Sequence, residues 1–518
     1  MSFKLTYATM FNPPAEMHRR YEQALAELTA ELGGRHHLYI DGEDRPAEDY
    51  ETRVSPIDTS LVIGEFAAAS SDDANAALYA AQAAWAGWRR TPAAERIAIM
   101  RRIADLLDEN VYRLAAALTL ETGKNRFEAL GEAQETGDFF RVYADSFEQQ
   151  GFDHRLPNDP LPDWNSTNRS VMKPYGAWVV IVPFNFPLAL AGGPVAAALV
   201  TGNTVVLKGA SHTPLAGRLL ADCLHRAGLP AGVFNYLSGP GSRIGDALVD
   251  HPAAAGVTFT GSYEVGMRIA RKMVGGRYPR PCIAEMGGKN PCIVTEHADL
   301  ERAAIGIVRS AFGMGGQKCS ALSRLYVQDS VADELIARIK QELGKLKIGD
   351  PRQLENWLGP VTTPQAYANY ARCAQQLSES AEILHGGRQL GECGNGFYVE
   401  PLLAEASLDH PLWREEMFLP ILLLARVDSL EQALELANDT DLGLTAGVYG
   451  SEREVDEFLD RIEAGVTYVN RPQGATTGAW PGYQCFGGWK GSGTTGVAIG
   501  SFYYLARYMR EQSHTIVL

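Results

Sequence analysis

The stretch from Tyr175 to Leu207 constrains the fold more than any other, because it carries no charged residue. Its length alone would permit a membrane-spanning helix. Three prolines, the pair Gly192-Gly193 and Asn185 interrupt it, and these residues argue against one continuous helix. The pattern instead predicts a buried strand at 177–182, a turn, an apolar helix and a second buried strand at 204–208.

Strands and helices alternate on both sides of this stretch. The chain of 518 residues is long enough for several domains. Alternation up to Glu285 predicts a doubly wound parallel sheet, and a restart after Gly287 predicts a second α/β unit. The remaining predicted strands are 37–45 with its turn, 233–236, 257–260, 281–285, 291–294 and 324–328, and the predicted helices are 14–33, 71–89, 93–110, 111–123, 298–313 and 331–344.

Net charge and cysteine content limit which binding partners and which cellular compartment are expected. The net charge is −15 and there is no basic run, so nucleic acid and anionic membranes are not expected partners. Seven cysteines without a CxxC pair or a Cys/His cluster predict neither a disulfide framework nor a metal site. The chain starts without an apolar signal segment, and we expect it in the cytoplasm.

Cys319 is the candidate nucleophile. It lies in the glycine-rich segment 312–324, where glycines allow a ligand to approach the backbone closely. A thiolate attacks carbonyl carbons readily, and backbone N–H groups beside it can stabilise developing negative charge. The alternative is that Cys319 is one more small buried hydrophobic residue.

Two further polar residues follow predicted strands. Asn185, held between two aromatics and two prolines, can donate a hydrogen bond to an oxyanion, or it can satisfy local backbone in a turn. Glu285 ends an apolar strand, and burial there raises the pKa of a carboxyl towards a value useful to a general base. The alternative for Glu285 is a buried carboxylate neutralised by Lys289.

Several residues are suited to a nucleotide, although each signal is weak alone. Lys208 closes a strand and can meet a ribose or phosphate, or it can reach solvent as an ordinary strand-end lysine. Glu416 can accept hydrogen bonds from ribose hydroxyls, or belong to a solvated loop. Two glycine turns lead into predicted helices and can offer N–H groups to a pyrophosphate; they contain Gly241 and Gly245, and Thr260, Gly261, Ser262 and Gly266.

Three blocks together resemble the aldehyde dehydrogenase superfamily: 183–187, 285–289 and 316–319. The resemblance runs from about residue 37 to the end, and it implies an α/β fold with two doubly wound domains and a small β oligomerisation flap. It also implies that Cys319 is the nucleophile, Glu285 the base that activates the deacylating water and Asn185 an oxyanion donor. The cofactor, NAD or NADP, would contact Pro183, Phe184, Lys208, Ser211, Gly241, Gly245, Thr260, Gly261, Ser262, Gly266, Glu416 and Phe418.

Within that superfamily the chain is most similar to the glutamate γ-semialdehyde (1-pyrroline-5-carboxylate) dehydrogenases of proline degradation. The block 317–321 and the residues around 470–488 carry this similarity. It implies that the substrate's α-carboxylate binds at Ser320, Gly478 and Ala479, and that Phe486 lines the substrate site.

Some positions depart from the family pattern. Ser211 replaces a common glutamate, which removes repulsion towards a 2′-phosphate and makes NADP possible. Gly209 replaces a proline and Leu419 a glycine. Trp480, Pro481, Tyr483 and Cys485 alter the loop expected to line the substrate tunnel, so a dehydrogenase of other aliphatic or aromatic aldehydes is the alternative.

Two further alternatives remain, a coenzyme-A-acylating dehydrogenase and a non-catalytic binding protein on this fold. The resemblance also sets the expected domains: a cofactor domain of 1–154 and 173–286, a catalytic domain of 287–487, and a flap of 155–172 and 488–518 that forms a homodimer or higher homo-oligomer. The apolar tail suggests a strand that pairs with another subunit.

Overall fold

The computed structural model describes residues 13–160, 165–391, 394–473 and 480–517. In this part of the chain the strands are β1 (Gly34–His36), β2 (Leu38–Ile40), β3 (Glu43–Arg45), β4 (Asp49–Val54), β5 (Val62–Ala68), β6 (Asp153–Leu156), β7 (Ser166–Pro174), β8 (Ala177–Ile181), β9 (Thr204–Lys208), β10 (Phe234–Leu237), β11 (Ala254–Thr260), β12 (Cys282–Glu285), β13 (Asn290–Val294), β14 (Leu322–Gln328), β15 (Glu382–His385), β16 (Leu402–Glu405), β17 (Ile421–Val427), β18 (Leu442–Gly443), β19 (Thr445–Tyr449), β20 (Val466–Val469), β21 (Trp489–Lys490) and β22 (Met509–Val517).

The α-helices lie between these strands. They are α1 (Ala15–Ala30), α2 (Ser71–Trp88), α3 (Ala93–Glu109), α4 (Val111–Thr122), α5 (Arg126–Gln150), α6 (Ala189–Val200), α7 (Pro214–Arg226), α8 (Gly241–Asp250), α9 (Tyr263–Val274), α10 (Leu300–Phe312), α11 (Asp329–Leu343), α12 (Pro364–Ser380), α13 (Leu430–Asn438) and α14 (Glu452–Arg461). Among the described residues, no helix is long and apolar enough to cross a membrane.

The first large sheet has the strand order β12-β11-β8-β9-β10-β2-β3. Its first five strands run parallel, and β2 and β3 extend it antiparallel. The chain passes from β8 outward to β10, then returns to β11 on the other side of β8. The order therefore reverses between β8 and β11, and ligands of open α/β sheets bind outside the carboxyl ends of strands at such a reversal.

The second large sheet has the order β15-β16-β17-β14-β13-β19-β20, and all but its edge strand β15 run parallel. It starts only four residues after the first sheet ends, because β12 stops at Glu285 and β13 starts at Asn290. The predicted α/β class with two doubly wound sheets is confirmed.

The uncharged stretch forms the centre of the first sheet, as its composition predicts. Trp178, Val179 and Val180 of β8 are fully buried, and every residue of β9 is buried. Strands covered by helices on both faces need no polar alternation, which explains the continuous apolar run. Between them, α6 packs against α5 with nearly all of its residues buried.

A small antiparallel sheet joins the end of the chain to an earlier hairpin. Strand β7 lies between β6 and β22, and it pairs with β22 from Pro174 to Ser166. The tail thus finds a partner within its own chain, whereas the sequence suggested one from another subunit. Most residues of β22 remain exposed, including Ile516 and Val517.

Candidate functional site

Four of the predicted polar residues lie at or just beyond the carboxyl ends of strands in the first sheet. Asn185 follows β8, Lys208 ends β9, and Glu285 ends β12 beside Thr260, which ends β11. Because parallel strands end at the same edge, the fold brings these residues to one side of the sheet, next to the reversal in strand order. This is the edge at which the second sheet begins.

Cys319 lies on the connection from α10 to β14. It is at the amino-terminal edge of the second sheet, whereas the polar residues above lie at the carboxyl edge of the first. A tight glycine turn precedes it, in which Met314 and Gly316 have φ values of 52° and 66°. A Cβ at Gly316 would lie 2.2 Å from the carbonyl oxygen of Leu419, so a larger residue would clash there. The Asn290 side chain holds the Cys319 carbonyl oxygen at 2.7 Å, which fixes the cysteine against β13.

The thiol of Cys319 is electrostatically coupled to two carboxyl groups. Burial raises its pKa to about 12, the charges of Glu416 and Glu285 add to the rise, and the backbone N–H groups of Ser320 and Cys319 oppose it. The side chain nevertheless keeps part of its surface exposed. The resting group is therefore a protonated thiol that needs a base before it can attack a carbonyl carbon.

Asn185 connects the two sheets at this point. It is 3% exposed, and its amide nitrogen donates to the carbonyl oxygen of Gln317 over 2.9 Å, two residues before Cys319. A side-chain amide has two N–H groups, so the second one remains for another acceptor. The turn that was predicted to fix this amide thus places it beside the cysteine.

Glu285 forms a hydrogen bond with a residue 203 positions later in the chain. Its Oε2 accepts the backbone N–H of Gly488 at 3.1 Å, and burial raises its pKa to about 8 while this hydrogen bond opposes the rise. The alternative pairing with Lys289 is not seen, because the Lys289 ammonium has no hydrogen bond to any described residue. Glu285 is therefore a desolvated carboxyl that titrates close to neutral pH.

Glu416 and Phe418 complete this side of the site. The Glu416 carboxylate accepts the N–H of Gly288 at 2.9 Å, and a Cβ at Gly287 would lie 2.0 Å from the same carboxylate. Phe418, with a φ of 56°, contacts the ring of Phe184 edge-on at 5.9 Å. The aromatic pair joins the Pro183 turn of the first sheet to the Glu416 loop of the second.

Apart from Glu416 and Phe418, the predicted nucleotide residues lie at the carboxyl edge of the first sheet. Lys208 is 5% exposed and donates to the Ser211 hydroxyl at 3.1 Å. Gly241 starts α8 and Ser262 precedes α9, and neither helix has a side-chain hydrogen bond capping its first turn. Unpaired N–H groups at helix starts are suited to phosphate.

The glycines of the two turns differ in the space around them. A Cβ at Gly245 would meet no atom within 4 Å, and one at Gly241 would meet only the Lys208 ammonium at 4.0 Å, so this side is open enough for a dinucleotide. By contrast, Gly261 and Gly266 lie against Phe259 and Met286, where side chains would overlap. Packing therefore requires glycine at positions 261 and 266.

The structure describes only some of the predicted substrate residues. Ser320 is 8% exposed and its carbonyl oxygen accepts the Thr445 hydroxyl at 3.2 Å, beside Cys319. Phe486 is buried in the core cluster against which Cys319 packs. Gly478 and Ala479 lie outside the described residues.

A buried charged cluster behind the Asn185 turn was missed by the sequence analysis. Lys124 and Glu132 form a fully buried ion pair, and the Lys124 ammonium lies 3.7 Å from the ring centre of Phe186. Glu132 also accepts the N–H groups of Leu188 and Ala189 at the start of α6. This cluster fixes the end of the turn that carries Asn185.

Glu132→Gln is expected to lower the free energy of unfolding by about 3 kcal/mol, because it leaves the Lys124 ammonium buried without a counter-charge. Chemical denaturation followed by circular dichroism measures the loss. Glu334→Gln, which breaks an exposed ion pair with Arg338 on α11, is the matched control and should change little. Equal midpoints for the two variants would contradict a structural role for the buried pair.

Fold and site define an α/β enzyme in which a cysteine and a carboxyl group meet where two doubly wound sheets join. The family model described as "Aldehyde dehydrogenase family" matches residues 39–514, so the chain belongs to the aldehyde dehydrogenase family.

Similar proteins point to one branch of that family. The chain is 37% identical to the 1-pyrroline-5-carboxylate dehydrogenase of Anoxybacillus flavithermus over 94% of both chains, and 38% identical to that of Geobacillus thermodenitrificans over 93% of both. Its fold matches the solved 1-pyrroline-5-carboxylate dehydrogenase from Thermus with bound NAD, with a TM-score of 0.94, 32% identity and full coverage of both chains. A 3,6-anhydro-L-galactose dehydrogenase solved with NADP matches with a TM-score of 0.86, at 33% identity and 93% and 100% coverage.

Proposed function

We propose that the protein oxidises an aldehyde to a carboxylic acid with NAD or NADP, and that its substrate is L-glutamate γ-semialdehyde, the open form of 1-pyrroline-5-carboxylate. The reaction is a step of proline degradation. The observation that carries the proposal is the hydrogen bond that the Asn185 amide donates to the Gln317 carbonyl oxygen, two residues before Cys319, while burial and the nearby charges of Glu416 and Glu285 raise the pKa of the Cys319 thiol. Similarity to 1-pyrroline-5-carboxylate dehydrogenases over nearly the whole chain supports the choice of substrate.

In the first half-reaction the Cys319 sulfur attacks the aldehyde carbon. The thiol proton leaves to a base, and Glu285 in its carboxylate form is the nearby titratable group with a pKa of about 8. The carbonyl oxygen becomes an oxyanion, which accepts hydrogen bonds from the free N–H of Asn185 and from the Cys319 backbone N–H. Loss of a hydride from the thiohemiacetal gives a thioester on Cys319, and a bound NAD or NADP would supply the hydride acceptor.

Between the half-reactions Glu285 releases the thiol proton to solvent and returns to the carboxylate form. In the second half-reaction it removes a proton from water as the water oxygen attacks the thioester carbon. The C–S bond breaks, the acid leaves, and the departing sulfur takes the proton from Glu285, which restores the thiol and the carboxylate. Water attack distinguishes this reaction from acyl transfer to coenzyme A. The desolvated position of Glu285 suits a base of this kind, because a carboxyl with a raised pKa binds a proton more strongly.

The site also suits an amino-acid aldehyde. Ser320, next to Cys319, would donate to the substrate's carboxylate, and the similarity to 1-pyrroline-5-carboxylate dehydrogenases supports the same role for Gly478 and Ala479, which lie outside the described residues. Glu135 of α5 was not foreseen: burial and the nearby Glu132 raise its pKa well above the usual range, and it forms no hydrogen bond or ion pair with another described residue.

Steady-state kinetics with 1-pyrroline-5-carboxylate and a panel of simple aldehydes test this substrate. The expected result is a kcat/KM at least about tenfold higher for 1-pyrroline-5-carboxylate, since buried polar groups discriminate strongly against substrates that cannot pair with them. Propanal, hexanal and benzaldehyde, each measured with NAD and with NADP, form the panel. A simple aldehyde with the higher kcat/KM would overturn the substrate while leaving the reaction class intact.

The cofactor residues follow from the same proposal. Lys208 and Glu416 would contact the two riboses of a bound NAD or NADP, Ser211 lies beside Lys208, and Phe418 with Phe184 would pack against the nicotinamide ribose. Pro183 and the residues of the two helix starts line the rest of the dinucleotide, namely Gly241, Gly245, Thr260, Gly261, Ser262 and Gly266.

Domain division and assembly are proposed on the sheet pattern. Residues 1–154 and 173–286 form the cofactor domain, 287–487 the catalytic domain, and 155–172 with 488–518 the flap. The flap would join copies of the chain through the free edge of β22, as an exposed edge strand with apolar residues favours pairing. Free thiols throughout the described residues fit a reducing compartment such as the cytoplasm.

A further inference from the structure

We propose that Lys289 is a positioning residue: its buried ammonium supplies the counter-charge for the Glu416 carboxylate, which would accept hydrogen bonds from the nicotinamide ribose. This inference rests on the function proposed above. It concerns the short connection between the two large sheets, residues 286–289, which starts directly after Glu285 and ends directly before β13.

The Lys289 side chain is buried without a hydrogen-bond partner. It is 1% exposed, and its ammonium group, which has three donors, bonds to no residue that the structure describes. Its backbone is fixed, because the Arg324 guanidinium donates to the Lys289 carbonyl oxygen at 2.8 Å. A desolvated ammonium without a hydrogen bond is costly to the fold, so its charge needs a compensating group nearby.

The groups that act most strongly on this ammonium are Arg324 of β14, Cys373 of α12 and the carboxyl groups of Glu415 and Glu416. Arg324 is a second buried cation and repels it. Burial raises the pKa of the Cys373 thiol, which keeps that thiol uncharged. Glu415 already forms an exposed ion pair with Arg372. Glu416 therefore remains as the carboxylate that compensates the ammonium.

The Glu416 carboxylate is held by the same connection. It accepts the N–H of Gly288, the residue before Lys289, at 2.9 Å, and it lies so close to Gly287 that a Cβ there would overlap it. Burial raises the pKa of Glu416, whereas the Gly288 N–H and the charge of Lys289 lower it. The Lys289 charge thus favours the ionised form, in which both carboxylate oxygens accept hydrogen bonds.

The effect of Lys289 depends on pH. Burial and the nearby charge of Arg324 lower the pKa of Lys289 to about 7, so the ammonium is charged on the acidic side of neutrality. In that range the raised pKa of Glu416 would otherwise leave its carboxyl protonated. At higher pH Glu416 is ionised without help. The contribution of Lys289 to ribose binding is therefore present at low pH and lost as the pH rises.

Two nucleotide fragments separate this role from a purely structural one. ADP-ribose carries the second ribose and ADP lacks it, and isothermal titration calorimetry measures the affinity for both. At about pH 6 we expect Lys289→Met to bind ADP-ribose about tenfold to a hundredfold more weakly than the wild type, the size of one or two charge-assisted hydrogen bonds, and to bind ADP equally. At about pH 9 the two proteins should bind ADP-ribose equally, because Glu416 is ionised in both.

Two further variants are the controls. Glu415→Gln removes the neighbouring carboxylate, which pairs with Arg372, and should leave the affinity for ADP-ribose unchanged. The double variant Lys289→Met/Glu416→Gln removes both charges, so it leaves no carboxylate buried without its counter-charge and keeps the test valid where the single variant is unstable. It should bind ADP-ribose as Glu416→Gln alone does, because a residue that acts through Glu416 has no effect once the carboxylate is gone.

Three results would overturn the inference: an equal loss of affinity for ADP and ADP-ribose in Lys289→Met, a loss for ADP-ribose that persists at about pH 9, or a double variant that binds ADP-ribose more weakly than Glu416→Gln. Failure of the proposed function looks different. In that case the wild type oxidises no aldehyde with either cofactor, whatever the fragment affinities are.

Discussion

Replacing Cys319 by alanine is expected to abolish aldehyde oxidation, with kcat/KM falling by at least about 10⁴-fold. The sulfur forms the covalent bond to the substrate in both half-reactions, and no other described thiol is coupled to both Glu285 and Glu416. Without it, the aldehyde has no route to a thioester. Initial rates of reduced cofactor formation with 1-pyrroline-5-carboxylate measure the effect.

Two controls separate loss of chemistry from loss of fold. Cys319→Ala should bind NADP with unchanged affinity, because no predicted cofactor contact is removed. Cys373→Ala, which deletes another buried thiol on α12, should retain activity. Residual activity above one per cent in Cys319→Ala, or an equal loss in Cys373→Ala, would contradict the assignment of Cys319 as the nucleophile.

Local sequence signals predict the first sheet and its polar edge well. Predicted strands at 177–182 and 204–208 differ by at most one residue from β8 and β9, because an uncharged run broken by prolines leaves few alternatives. Asn185, Lys208 and Glu285 follow directly from these strand ends. A residue that ends a parallel strand has its position set by that strand, so short-range patterns are sufficient.

Helix α5 shows where such patterns fail. Apolar spacing does not predict it, because the helix buries Arg126, Glu132 and Gln134 as well as its apolar residues. Charges on a helix ordinarily mark its solvent face. Only the packing of α5 against α6 and the partner Lys124 make a buried Glu132 possible, and neither can be read from the local sequence.

Hydrogen bonds between residues far apart in the chain are the second feature that local sequence patterns do not predict. Gly488 donates to Glu285 across 203 positions of the chain, and Asn290 holds the Cys319 carbonyl across 29. The cysteine lies at the amino-terminal edge of its sheet. The rule that ligands bind at the carboxyl ends of strands does not predict a site there. The site therefore depends on how the two sheets join, which family resemblance supplied and local pattern did not.

Glu285→Gln is expected to lower steady-state kcat by about 10²-fold to 10⁴-fold, the usual contribution of a general base. Glutamine keeps an acceptor for the Gly488 N–H, so the local structure should persist. If the base acts mainly on water, the first half-reaction continues and the thioester accumulates. Rapid mixing should then show a burst of one equivalent of reduced cofactor, and mass spectrometry should find the acyl group on Cys319.

The dependence of kcat on pH is a second, independent test of Glu285 as the base. The pKa of Glu285 is raised to about 8, and the base acts only as a carboxylate. Wild-type kcat should therefore rise about tenfold per pH unit up to about pH 8 and level off above it, whereas Glu285→Gln should lose this rise. Glu264→Gln, at an exposed position on α9, should keep the wild-type profile. An unchanged kcat in Glu285→Gln would contradict the assigned role, and a loss of rate without a burst would move that role to deprotonation of Cys319.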